Sequence, residues 1–204
     1  MKKIILLFAL LATTTLSFAQ NNAKKLLDEA IETIKKQPKF SANFSVSING
    51  KNHNGSLDVD NQKYVIKLMG ITQLYDGNKT YHISPSDEEV TISKSKAASD
   101  YNLANLLTMY QKGFTYTMDT KKTENKRNIQ YIKLVPTDKN NAFKEIVLGI
   151  DTQNKQLYKK TDVLKNGTKT TLTIQSFNVY PKFSKTHFTF NKSAYSSYFF
   201  NEID

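Results

Sequence analysis

Between Gly55 and Ile92 large apolar side chains recur on alternate residues in four short stretches: Leu57 and Val59; Tyr64, Ile66 and Leu68; Tyr81 and Ile83; Val90 and Ile92. Successive side chains of a strand point to opposite faces, so each stretch places its large residues on one side of a sheet. Asp60-Asn61, Asp76-Gly77 (with a loop reaching Asn78) and Ser84 to Glu88 with Pro85 punctuate the stretches as turns. A sheet that is apolar on one face must cover it with helices, a second sheet or a ligand.

The same alternation extends in both directions. Phe40 to Ile48 carries Phe44, Val46 and Ile48 on one face, and Asn49-Gly50 turns the chain. Phe114, Tyr116 and Met118 alternate with polar residues, and Lys121 to Asn128 reads as a charged hairpin loop. Strands are predicted over Ile129 to Val135, around Ile146, Leu148 and Ile150, and over Lys155 to Val163 and Thr168 to Phe177, the last two joined by Asn166-Gly167. Phe188-Thr189-Phe190 reads as the last strand, and Tyr195, Tyr198, Phe199 and Phe200 as a packed tail.

Two segments have helical spacing instead. Leu26, Leu27, Ala30, Ile31 and Ile34 form one stripe over Ala23 to Lys36, with Asn22 as cap and Pro38 as stop. Leu103, Leu106, Leu107 and Tyr110 form another over Tyr101 to Gln111, ended by Gly113. The expectation is a mainly β (α+β) fold: one strongly curled antiparallel sheet of about ten strands with helices on its concave face. Two helical stripes are few for so many strands. A partly open barrel with an apolar cavity and a fully packed core are the two alternatives.

The N-terminus has Lys2-Lys3, an apolar run from Ile4 to Ala12, and Ser17-Phe18-Ala19 before Gln20. This is the pattern of a cleaved secretory signal peptide over residues 1–19, leaving a single domain over 20–204. The run is shorter than the roughly 20 residues of a membrane span. The chain has no Cys, which excludes disulfides, thiol chemistry and lipidation of a new N-terminal cysteine. Without Lys2 and Lys3 the basic count falls from 29 to 27 against 18 acidic residues, a charge of +9. Arg127 is the only Arg, so the planar fork that reads phosphate and base edges is nearly absent. Nucleic acid is not an expected partner; an anionic membrane surface, an acidic partner or plain solvation of a Lys-rich surface accounts for the charge.

Enzyme chemistry finds no support. His53, His82 and His187 are scattered, with no metal-ligand spacing. There is no nucleophile elbow and no glycine-rich phosphate loop. Asp58-x-Asp60-Asn61 lacks the glycine and terminal glutamate of a calcium loop, and Asp87-Glu88-Glu89 reads as a solvated turn. No catalytic residue, metal or cofactor is assigned.

Read in order, several segments resemble the LolA family of periplasmic outer-membrane lipoprotein carriers: Phe40-x-Ala42-x-Phe44; Gly55-x-Leu57; Tyr75-Asp76-Gly77-x-x-x-Tyr81; Leu103 to Tyr110 followed by Gly113-Phe114; Leu134-x-Pro136; Ile150-Asp151; and Phe188-x-Phe190. The resemblance spans nearly the whole mature chain. It implies an unclosed antiparallel barrel of about eleven strands with helices as a lid. It also implies a soluble periplasmic carrier that shields the acyl chains of lipoprotein cargo. Such a carrier is loaded by an ATP-driven inner-membrane release complex and unloads at an outer-membrane acceptor or the outer membrane itself. A monomer is expected. The family's Arg-Pro pair after the Gly-x-Leu strand is replaced here by Asp60-Asn61-Gln62, so the cavity is carried over and the Arg latch is not.

The residues expected to line cavity and lid are Phe44, Val46, Leu57, Tyr64, Ile66, Leu68, Tyr81, Ile83, Leu103, Leu106, Leu107, Tyr110, Phe114, Tyr116 and Met118, with Met69 and Met109 as flexible additions. Two other functions fit the same residues: a soluble binder of another amphiphile, such as a fatty acid or glycolipid, and a protein-interaction or sensor module with a filled interior.

Overall fold

The computed structural model describes residues 21–94 and 107–203. The expected signal peptide, and Leu103 and Leu106 of the expected lid helix, lie outside the described residues.

Residues 21–35 form the helix α1. Ala23, Leu26, Leu27, Ala30, Ile31 and Ile34 are all buried, so the apolar stripe is its packed face. Asn22 lies within the helix, not before it as a cap. The Gln37 N–H donates to the Ile34 carbonyl at 3.0 Å, and Pro38 follows.

Among the described residues twelve strands follow: β1 (Lys39–Ile48), β2 (Lys51–Asp60), β3 (Lys63–Leu68), β4 (Ile71–Tyr75), β5 (Thr80–Ser84), β6 (Glu89–Ser93), β7 (Phe114–Glu124), β8 (Arg127–Pro136), β9 (Phe143–Asp151), β10 (Leu157–Leu164), β11 (Lys169–Val179) and β12 (Phe199–Ile203). They form one sheet in the order β12-β6-β5-β4-β3-β2-β1-β11-β10-β9-β8-β7. β12 and β7 are its two edges, so the sheet is open and not a closed barrel.

Four expectations are corrected. The stretch Ile71–Tyr75, not singled out in the sequence, is β4. The expected loop from Lys121 to Asn128 is strand on both sides of a two-residue turn, Asn125-Lys126, both with positive φ. Phe188-Thr189-Phe190 is not a strand. The last strand is β12, and it pairs with β6 in parallel.

The chain forms two compact units. The first comprises the described parts of Met1–Thr33 and Leu107–Thr170, the second those of Ile34–Leu106 and Thr171–Asp204. In the first, Ile132, Leu134, Ile146 and Leu148 are fully buried neighbours on one face of β8 and β9, paired as Ile132 with Leu148 and Leu134 with Ile146. Each such side chain contributes about 1.5–3 kcal/mol on burial. In the second, Phe40, Ala42, Phe44, Leu57, Tyr64, Tyr75 and Ile174 pack into one buried cluster.

Candidate functional site

In the second unit the strand registers decide which residues share a face. Ala42 faces Leu57, Leu57 faces Ile66, and Phe44 faces Gly55, which faces Leu68. Val46 faces His53 on the same side. Six of the expected site residues, Phe44, Val46, Leu57, Tyr64, Ile66 and Leu68, are therefore together on one face of β1–β3. Phe40 stacks on Phe177 at 4.8 Å and Tyr64 on Tyr75 at 5.9 Å. The Tyr64 hydroxyl accepts from Gln73 Nε2 at 2.9 Å, which satisfies the one polar atom of that ring.

Gly55 has a specific reason to be glycine. A Cβ there would lie 2.6 Å from the Phe44 ring and 2.8 Å from the Lys67 carbonyl oxygen. The Phe44 ring thus lies directly across the Gly55 backbone, which accounts for both the Phe44 and the Gly55-x-Leu57 motifs.

Coverage of this face is uneven. Phe40, Phe44, Tyr64 and Tyr75 are buried, whereas Val46, Ile66, Leu68, Leu172 and Phe177 are only partly covered. Ile48, at the end of β1, is exposed. The result is a packed apolar floor that continues into an incompletely covered apolar strip, a surface suited to an apolar ligand without fixed shape.

Tyr81 and Ile83 are not on this face. β4 and the hairpin after it pair Tyr75 with Thr80, so Thr80, His82 and Ser84 continue the side of Tyr64 and Tyr75. Tyr81 and Ile83 point the other way. There Tyr81 stacks on Phe190 at 4.2 Å, and Ile83, Val90 and Ile92 pack beneath Tyr195, Tyr198 and Phe200. The apolar side of the sheet changes between β3 and β5, with β4 apolar on both sides through Tyr75 and Leu74. The aromatic C-terminal segment covers the second side.

The Tyr75-Asp76-Gly77 motif serves the turn. Asp76 Oδ1 accepts from the backbone N–H groups of Asn78 and Lys79 at 2.8 and 2.9 Å, and Oδ2 accepts from the Tyr81 hydroxyl at 3.1 Å. Burial, then the Asp76 carboxylate, pushes the Tyr81 phenol up to about 12. Met69 is a turn residue with φ 53°, 57% exposed, and Met109 is also exposed. Neither lines an apolar interior.

In the first unit, Leu107, Tyr110 and Tyr116 are buried and Phe114 and Met118 half-buried. Tyr110 meets Phe114 edge-on at 5.7 Å, and the Tyr116 hydroxyl donates to the Tyr110 carbonyl at 2.8 Å. Gln111 Nε2 donates to Asp28 Oδ1 of α1 at 2.8 Å, and Lys155 pairs with Glu29 of the same helix at 3.0 Å. Tyr116 and Met118 share a face with Leu134 and Ile132. That face also carries Lys160 and Asp162, an ion pair that the sequence reading missed. The Lys160 ammonium sits 5.7 Å from the Tyr110 ring centroid. Burial, then the Asp162 carboxylate, raises the Tyr110 phenol well above its ordinary value. The only sequence signal for the pair was the i, i+2 spacing of opposite charges within a strand.

Among the described residues no three His, Asp or Glu side chains gather as metal ligands, and no helix is long and apolar enough to cross a membrane. The arrangement offers apolar surface and turn-fixing carboxylates.

The model of the family described as outer membrane lipoprotein carrier protein LolA matches residues 72–191. No curated protein matches the chain in sequence. Among solved structures, an uncharacterized conserved protein from Thermus thermophilus has a TM-score of 0.62 at 8% identity, covering 89% of this chain and 99% of that one. LprF from Mycobacterium bovis has a TM-score of 0.54 at 12% identity, covering 80% and 95%. At these identities both show a shared fold.

Proposed function

From the premise that the chain belongs to the LolA family of outer membrane lipoprotein carrier proteins, we propose that it is a periplasmic carrier that shelters the acyl chains of a lipoprotein on the face of β1–β3. The observation that carries this reading is the partly covered strip of Val46, Ile66, Leu68, Leu172 and Phe177 beside the buried Phe44. Sheltering each acyl methylene from water is worth about 0.8 kcal/mol, so a bare lipoprotein does not cross an aqueous space unaided. An incompletely filled strip takes up such chains without a rigid fit, and so also releases them. Loading from an inner-membrane release complex and delivery to an outer-membrane acceptor, or to the outer membrane itself, belong to this reading. The role is one of binding, with no covalent step.

Phe44, Val46, Leu57, Tyr64, Ile66 and Leu68 are assigned to the acyl-binding face. Tyr81 and Ile83 are assigned to structural packing. The test is native mass spectrometry of protein purified from its own periplasm. An adduct with the mass of an acylated polypeptide supports the carrier. A small lipid in its place moves the assignment to a general amphiphile binder, and a protein that holds neither and excludes an apolar dye contradicts both.

A further inference from the structure

A pocket lies within the second unit, on the side of the sheet opposite Phe44. It has a volume of about 590 Å³ and lies between the β2–β3 turn and the segment after β11, with Lys39, Lys63, Lys185, Phe183 and Phe188 in its walls. That volume is within the roughly 300–1,000 Å³ range of small-ligand sites.

The charges in and around it are unevenly committed. Among the described residues, Asp60, Asp58 and Asp76 each already have a partner. Asp60 pairs with Lys39 at 3.2 Å and accepts from the Asn61 side chain, Asp58 is bonded to His187 at 2.9 Å, and Asp76 holds its own turn and Tyr81. Among the described residues, Lys63 and Lys185 have no acidic partner. One of the lysines is held in position and another passes close to a turn. Lys39 is fixed by Asp60 and lies over the Phe183 ring at 5.2 Å. The Lys63 stem crosses Gly77, where an added Cβ would lie 3.5 Å from Lys63 Cε. His187 stacks on Phe183 at 4.6 Å and backs the aromatic wall. The site is thus a concave, aromatic-walled pocket with more cation than its own acids neutralise.

We propose that this pocket binds a phosphate ester, with the Lys63 and Lys185 ammonium groups as the charge that holds it. Lysine binds phosphate as a point charge with rotatable donors and needs no bidentate geometry, which fits a chain with one Arg. The phosphate can come from a phospholipid headgroup or from a soluble ester. The proposal does not depend on where acyl chains are held.

The test uses the full mature chain and two probes. One is glycerol 3-phosphate, titrated calorimetrically. The other is vesicles of phosphatidylcholine with about one lipid in three phosphatidylglycerol, followed by flotation at about 0.15 M salt. The double variant Lys63→Gln/Lys185→Gln is compared with Lys112→Gln/Lys144→Gln, which removes the same charge from exposed positions of the first unit. The expected result is a loss of about tenfold in affinity for the first variant and at most about twofold for the second. Loss for glycerol phosphate identifies a soluble ester as sufficient; loss confined to vesicles identifies the headgroup. Equal losses in the two variants, no loss in the first, or no binding of either probe by the wild type overturns the proposal.

Discussion

Lys160 and Asp162, two residues apart on β10, form an ion pair on a strand face whose paired neighbours are Leu148 and Ile146. Their side chains are only 11% and 17% exposed, and Asp162 Oδ1 has no hydrogen-bond partner. The pair leaves each charge dependent on the other, because a lone charge in such a place is not solvated. Lys160→Met is expected to destabilise the protein by about 3 kcal/mol in urea unfolding. Lys160→Met with Asp162→Leu should recover most of that loss, since two apolar groups of similar volume need no partner. If the double variant is no more stable than the single one, the cost lies in packing and not in the stranded carboxylate.

Gly55→Ala should cost about 1–3 kcal/mol, because the added methyl meets both the Phe44 ring and the Lys67 carbonyl oxygen. The ring can move, but the backbone oxygen cannot. Phe44→Leu in the same chain is therefore expected to relieve only part of the strain. Full recovery of the thermal midpoint in the double variant would show that the ring alone sets the glycine requirement.

Tyr81→Phe should cost about 1 kcal/mol through loss of the hydrogen bond to Asp76 and leave binding of an apolar dye unchanged. Ile83→Ala should cost about 2–5 kcal/mol, again without changing dye affinity once the protein is folded. Both expectations follow from the packing of Tyr81 and Ile83 against the C-terminal aromatic segment. A changed dye affinity in either folded variant would return these residues to the binding face.

Acid should weaken the fold in part through Glu124. Burial opposes its ionisation, but the hydrogen bonds from Lys159 at 2.5 Å and Tyr131 at 2.6 Å outweigh that, and its pKa is lowered. A carboxyl with a folded pKa below its unfolded value of about 4.3 contributes stability that is complete above that value. The contribution disappears as pH falls through the folded pKa. Glu124→Gln should lower the thermal midpoint near neutral pH and shrink its decline on acidification below pH of about 4. An unchanged slope would contradict the assignment.

The apolar face of β1–β3 was legible because β1 and β2 alternate strictly and β3 keeps Tyr64, Ile66 and Leu68 on alternate residues, although Val65 between them is buried on the other side, and Asn49-Gly50 and Asn166-Gly167 mark turns that the backbone confirms with positive φ at Asn49, Gly50 and Gly167. The helix was legible because its stripe has a single helical period. β4 was not, because a strand packed on both sides loses alternation: Leu74 and Tyr75 are adjacent and both buried. Missing it reversed the face of Tyr81 and Ile83, since register passes from strand to strand. Phe188-Thr189-Phe190 alternates like a strand, yet its rings pack onto the sheet, Phe190 on Tyr81 and Phe188 against Val65 and Leu74. β12 depends on parallel pairing with β6 across more than a hundred residues, which no local pattern announces. The β7–β8 hairpin looked like a loop because β7 is an edge strand, and charge on an edge protects against further pairing.

The most direct test places a photo-crosslinking amino acid at Leu68 in one variant and at Lys67 in another, each expressed in its own periplasm. The two positions are adjacent in sequence but point to opposite faces of β3, Leu68 beside Gly55 and Lys67 beside Ser56. Crosslinks to acylated lipoprotein at position 68 and none at 67 are the expected result. Equal crosslinking at both positions, or capture at 67 alone, would contradict the assignment of acyl chains to the Phe44 face.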